Sequence, residues 1–213
     1  MAETGTVSQW KYFLHEAGHA LALQSLGILP ICMSIEIPES PSLTHGVVTP
    51  PKEQDLSLPE FVFFKMCGPA SHLFLGGCQF ETEVNIFRTD FSSVLKQFPQ
   101  LRSSDEDIGR TLMACRIFLE KYCREWVEIH KEPISRLGAA LQAAVVGPRR
   151  HELKEAGLQA VLVAAGVPTQ ANLTALRTEI HSGFAAAWES AKIFVPAPWI
   201  VHYIGCVRAD EQV

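Results

Sequence analysis

The chain has 213 residues, of which 47% are hydrophobic and 19% charged, and its formal net charge is −5. This length favours one domain, or one domain with an appendage, and the apolar composition excludes an intrinsically disordered chain. The absence of a long basic run argues against a nucleic-acid groove and a polybasic membrane patch, because binding phosphates requires clustered cations.

The first predicted element is a helix, followed by two short strands. Apolar residues recur at three- and four-residue steps after Ser8, a suitable N-cap, and Gly27 predicts the end of this helix. The run ICMSIEI at 31–37 alternates and is β-branched, which predicts a strand. A second short strand is predicted at 47–49.

The remainder of the chain is predicted to be mostly helical. The stretch at 78–103 is mixed, with one helical turn near 91–98, and Gly76-Gly77 closes the helix before it. Further helices are predicted at 59–75, 105–130, 133–146, 151–165 and 170–192. The expected fold class is therefore mainly α with a small β element (α+β).

Cysteine usage and the termini bear on the compartment. The six cysteines form no CxxC pair and stand among apolar neighbours, which predicts buried thiols in a reducing compartment. The N-terminus lacks the basic start and apolar core of a signal peptide. No uninterrupted apolar run reaches the roughly 18 to 20 residues of a membrane span. We therefore expect a cytoplasmic protein with no transmembrane segment.

One specific chemical motif, HEAGH, occupies 15–19 within the first predicted helix. Positions four apart lie about 40° apart around a helix and one turn along it, so His15 and His19 face one point. Two imidazoles in this arrangement suit a zinc ion at about 2.0–2.1 Å. Glu16 then reaches the open coordination position, where it serves as general base and general acid.

A chance occurrence of this motif would be expected on a solvated helix face. Here the motif is flanked by YFL and ALAL, and a buried helix carrying two histidines and a glutamate without a metal would bury costly polar groups. Ala17, Gly18 and Ala20 predict close approach by another element. These features favour a metal site.

A hydrolytic zinc site usually has three protein ligands and one open position. No His, Glu or Asp follows within ten residues of His19, which excludes the HExxHxxGxxH arrangement. It also argues against a nearby downstream helical glutamate. The residues themselves leave the third ligand open.

HEAGHAL, CMSIEIP and THGVVTP resemble, in this order, the peptidase domain of the FtsH family of ATP-dependent zinc proteases. The segment DIGRTLMACR at 107–116 is similar to a helix of that family. The resemblance covers about residues 8–145 and implies a zincin-like domain at 1–147. Residues 148–213 would form a C-terminal helical extension packed on it.

The resemblance also implies the third zinc ligand, because the family's helix opens on a metal-binding aspartate. Carried over, this role falls on Asp107. Asp105, Glu106 and Asp90 are the alternatives. Ser104 stands three residues before Asp107 in a weak capping box, which gives Asp107 an ordinary role in helix capping as well.

Three features depart from the family. Fourteen residues precede His15 and no GxxxxGK[ST] loop occurs, so we expect no ATP-driven unfolding by this chain. His72-Leu73 stands where the family has paired glutamates, and the C-terminal third has no clear counterpart. The expected substrate is thus a flexible peptide or an unfolded protein, with a homo-oligomer or a separate ATPase as further partners.

The predicted function is ATP-independent zinc metallopeptidase activity, with His15, His19 and Asp107 holding zinc and Glu16 catalysing peptide hydrolysis. The substrate is expected to lie extended beside the strand at 31–37 or the strand at 47–49. One alternative is a zinc-bearing interaction or regulatory module with weak turnover. Another is a zinc amidase that acts on small molecules.

Overall fold

Helices and one small sheet make up the described part of the protein. The computed structural model describes residues 4–36, 45–50, 56–80, 88–145, 150–166, 172–192 and 198–210. The strands are β1 (Cys32–Glu36), β2 (His45–Thr49) and β3 (Arg150–Lys154). The helices are α1 (Thr4–Ser25), α2 (Leu58–Phe74), α3 (Arg88–Gln97), α4 (Asp105–Phe118), α5 (Arg124–Ile129), α6 (Lys131–Ala144), α7 (Glu155–Ala164), α8 (Leu173–Ser190) and α9 (Pro198–Asp210). The expected class, mainly α with a small β element, is confirmed.

The first two helices end as their glycines predict. Gly27 has a φ of 76° and Gly77 a φ of 68°, a conformation that glycine adopts without a Cβ penalty. After α1, the N–H of Ile28 donates to the carbonyl of Leu23 at 2.9 Å, as in a Schellman motif. The predicted beginning of α1 is wrong, because the helix begins at Thr4 and Ser8 lies inside it.

The three strands form an antiparallel sheet in the order β2-β1-β3. Met33 pairs with Val48 on one side and with Leu153 on the other, so described strands occupy both edges of β1. The buried side chains of β1 and β2, including Met33, Ile35 and Val48, lie on one face of this sheet. The strands predicted at 31–37 and 47–49 are thus confirmed over the described residues.

The helix predicted at 151–165 is wrong in its first part, because Arg150–Lys154 forms β3. The sequence RHELK has no strong strand preference, and only its pairing with β1 accounts for its extended conformation. The helix begins at Glu155 instead. The proposed domain boundary between residues 147 and 148 lies outside the described residues, and β3 joins the sheet from beyond it.

Helices α1 and α2 pack closely, as the small residues of the motif predict. A side chain at Gly18 would overlap the Ser71 hydroxyl and the Cys67 carbonyl of α2. Likewise, a side chain at Gly68 would overlap the ring of His19. Close approach of the two helix backbones therefore brings α2 directly against the motif.

The C-terminal helix α9 packs against the helix that precedes α4. Tyr203 of α9 is buried and meets Phe91 of α3 edge to face, with 5.7 Å between ring centroids. Trp199 meets Phe80 in the same manner at 5.5 Å. Sequence periodicity did not predict α9 as a helix. No helix in the described ranges is long and apolar enough to cross a membrane.

Candidate metal centre

The two histidines of the motif lie side by side on the buried face of α1. Only 7% of His15 and 3% of His19 is exposed. Their ring centroids are 4.7 Å apart, and their Nε2 atoms approach to 3.1 Å. The four-residue spacing thus brings the two imidazoles to one point, as predicted.

Helix α2 orients His19. The Nδ1 atom of His19 donates to the backbone carbonyl of Phe64 at 2.8 Å, which places the proton of the neutral ring on Nδ1. The Nε2 atom therefore presents its lone pair to the site. Gly68, one turn further along α2, leaves the space that this ring occupies.

Asp90, in the first turn of α3, completes a buried group with the two histidines. Its Oδ2 lies 3.0 Å from Nε2 of His15, and its Oδ1 lies 3.2 Å from Nε2 of His19. Burial by itself would raise the pKa of Asp90, but the charges of His19 and Lys65 and the histidine hydrogen bonds hold this pKa well below its ordinary value. Asp90 is thus held as a carboxylate between the histidines.

The carried-over third ligand, Asp107, does not reach this group. Its carboxylate accepts hydrogen bonds from the hydroxyls of Ser103 and Ser104, each at 2.7 Å, and these bonds lower its pKa. Its backbone N–H donates to Ser104, the N-cap of α4. The expectation for Asp107 is therefore corrected: it caps a helix, and Asp90 takes the place beside the histidines.

The other two alternatives are also accounted for away from the site. Asp105 accepts a hydrogen bond from Arg208 of α9 at 3.0 Å, in an exposed ion pair. Glu106 is exposed at the same helix start. Among the described residues, His15, His19 and Asp90 are the group of side chains that could hold a metal ion.

The donor set fits a cation better than it fits hydrogen bonding alone. The lone pair of His19 Nε2 faces a carboxylate oxygen and a second imidazole nitrogen, so hydrogen bonds satisfy all three atoms only if an additional proton is bound. Ligands held about 2.0–2.1 Å from a tetrahedral ion lie about 3.3–3.4 Å apart, close to the 3.0–3.2 Å separations here. Two imidazoles and a carboxylate are also a ligand set that zinc favours.

Glu16 lies beside this group, on the next residue of α1. It is 3% exposed, and its Oε2 has no hydrogen-bond partner among the described residues. Burial raises the pKa of Glu16 to about 7; His15 and Lys65 oppose the shift and Asp90 adds to it. Glu16 thus has the features of a general base: a buried carboxylate with a pKa near neutral and an oxygen available to a ligand.

Strand β2 positions Glu16 through a glycine. A Cβ at Gly46 would lie 2.5 Å from both Cδ and Oε1 of Glu16. The backbone of β2 therefore packs directly on the carboxylate, which no larger residue at this position would allow.

Replacing Gly46 with alanine is expected to lower turnover at least about tenfold while the chain still binds one zinc ion, because the added methyl group displaces Glu16 and leaves the ligands in place. Zinc per chain and peptide hydrolysis measure the two effects. Gly205→Ala is the matched control, since nothing lies within 4 Å of a Cβ at Gly205. Equal turnover in the two variants would contradict this role of Gly46.

Sequence reasoning missed Gly46, Gly68 and Lys65 as residues of the site. Lys65 is the one charged residue within 61–70, an otherwise apolar run, which is a signal that could have identified it. His72, on the same helix, lies edge to face with His15 at 5.9 Å between ring centroids. Burial lowers the pKa of His72 to about 3, and the charges of His15 and Lys11 lower it further. His72 is thus a neutral neighbour of the site.

Comparisons of this chain with protein-family models, with curated proteins and with solved structures gave no match.

Proposed function

We propose that this chain is a zinc metallopeptidase of the HExxH type that acts without ATP. The observation that carries the proposal is the buried group of His15, His19 and Asp90, whose ligand atoms converge beside the free oxygen of Glu16. Three protein ligands with a carboxylate beside them match the composition of a catalytic zinc site rather than a closed structural one. The resemblance of the motif to the FtsH family, and a zincin-like fold, belong to the same proposal.

Each group has a defined role in peptide hydrolysis. When bound by His15, His19 and Asp90, zinc would polarise the scissile carbonyl and lower the pKa of a water molecule. Glu16 accepts the proton of the attacking water at its carboxylate and passes that proton to the leaving amine nitrogen. A pKa near 7 suits both transfers at neutral pH.

The sheet favours one of the two strands expected to bind substrate. Because β2 and β3 pair with both edges of β1, its main chain has no edge to offer. In β2, the residue that contacts Glu16 is Gly46, and its other edge faces no described strand. We therefore assign an extended peptide or an unfolded segment to the outer edge of β2.

The test of the proposal is a chelation and reconstitution experiment on the purified chain. The protein is expected to bind one zinc ion and to cleave casein; 1,10-phenanthroline should abolish cleavage, and added zinc should restore it. A mock preparation from cells without the chain controls for contaminating proteases. Absence of zinc binding after reconstitution would overturn the proposal.

A second candidate is a zinc-bearing interaction module with weak turnover, and the burial of the site favours it. Glu16 and His19 are each only 3% exposed, so little of the site is open to a substrate. For this candidate, the same experiment should show one zinc per chain without casein cleavage. Zinc removal would then lower the melting temperature without any loss of hydrolysis.

A further inference from the structure

Helix α2 carries a buried cation that contacts the third member of the metal group. Nζ of Lys65 lies 3.4 Å from Oδ1 of Asp90, and only 13% of the lysine side chain is exposed. The ammonium group also lies 4.7 Å from the centre of the Phe64 ring. Phe64 is the residue whose carbonyl orients His19, so adjacent residues of α2 contact two of the three ligands.

The lysine distinguishes the two oxygens of Asp90. Oδ2 lies 3.0 Å from His15, whereas Oδ1 lies near both His19 and the ammonium of Lys65. A charge-assisted hydrogen bond to a carboxylate is about twice as strong as a neutral one. Lys65 therefore engages Oδ1, and Oδ2 remains for a second cation.

From this contact we infer that Lys65 is a positioning residue that restricts Asp90 to binding zinc through one oxygen and lowers the affinity of the site for zinc. The inference rests on the proposed function. A carboxylate that binds through both oxygens occupies an additional coordination position, the position that a hydrolytic site keeps for water. The lysine thus preserves an open position, and its positive charge beside the metal weakens zinc binding.

The opposite expectation follows if Lys65 has only a structural role. Loss of a structural contact to Asp90 would disorder the carboxylate, and zinc affinity would fall. If Lys65 acts as inferred, removal of its charge raises zinc affinity and lets Asp90 bind through both oxygens. The sign of the change in affinity therefore separates the two roles.

The experiment compares zinc affinity of the full chain and of Lys65→Met by competition with a chromogenic chelator. We expect about tenfold tighter zinc binding in Lys65→Met, because one positive charge next to the ion is removed. Lys65→Arg retains the charge and should bind zinc as the parent does. Lys96→Met, an exposed substitution on the helix that carries Asp90, is the control for removal of a charge from the molecule.

Cobalt(II) replaces zinc as a spectroscopic probe of coordination number. The parent should give the intense visible absorption of a four-coordinate ion, and Lys65→Met the weaker absorption of a five-coordinate ion. Should Lys65→Met not fold, Lys65→Gln tests the charge alone: its amide still donates to Oδ1, so zinc affinity should rise while the cobalt spectrum stays four-coordinate.

Two failures are distinguishable. If the parent binds neither zinc nor cobalt, the proposed metal site itself fails, and with it the inference. If the parent binds zinc and the uncharged Lys65 variants bind it equally or more weakly, the inference about Lys65 is overturned and the metal site stands.

Discussion

Replacing Asp90 with asparagine is expected to weaken zinc binding by about a hundredfold or more, whereas the same change at Asp107 should leave zinc binding intact. Even residues that only orient a metal ligand change affinity about 10- to 100-fold, and Asp90 supplies an oxygen of the group itself. Asp107, by contrast, is bonded to Ser103 and Ser104 at the start of α4. Its loss removes a helix cap and no ligand.

The two variants form a matched pair, because each replaces a carboxylate with an amide of the same size in the first turn of a helix. Zinc per chain after equilibrium dialysis measures occupancy, and circular dichroism verifies that both variants fold. Asp90→Asn also removes the partner of Lys65, so a lower melting temperature is expected for this variant. Zinc loss in Asp107→Asn with retention in Asp90→Asn would reverse the assignment.

Replacing Glu16 with glutamine is expected to leave one zinc per chain and to lower peptide hydrolysis by about 10²- to 10⁴-fold, the range for loss of a general acid–base group. The amide has the size of the carboxylate but cannot accept the proton of water. Casein cleavage by parent and variant, purified in the same way, also controls for a contaminating protease. Equal cleavage by the two proteins would remove Glu16 from the mechanism.

Glu16→Gln also has an expected effect on stability that does not depend on turnover. Because burial raises the pKa of Glu16 from 4.5 to about 7, the folded protein without metal binds a proton that the unfolded chain releases in this range. Its free energy of unfolding should therefore fall between pH 4.5 and pH 7, by up to about 3 kcal/mol. The glutamine variant should lack this decrease, and chemical denaturation at pH 5 and pH 8 measures the difference.

The sequence by itself determined the central part of the site. The four-residue spacing of His15 and His19 follows from helix geometry, and the apolar residues on both sides of the motif predicted that this face of α1 is buried. Gly27 and Gly77 end their helices through local backbone conformations that glycine favours. These features depend on neighbours within a few residues, which is why the sequence alone contained them.

The third member of the group was decided only by the tertiary structure. Asp90 and Asp107 both stand in the first turn of a helix, and each is followed by an apolar residue, so local sequence does not separate them. The difference is that α3 packs against α2 and brings Asp90 to the histidines, 75 residues from His15 in the chain. The serines before Asp107 were the one local indication of a capping role.

The same limit applies to β3, to Gly46 and to Lys65. The strand Arg150–Lys154 is extended because it pairs with β1, more than a hundred residues earlier in the chain. Gly46 matters because β2 lies against Glu16, and Lys65 because α2 lies beside Asp90. Periodicity describes which face of an element is buried, but the partner on that face is set by packing between distant segments. The sequence thus determined the metal-binding helix, and the tertiary structure decided what surrounds it.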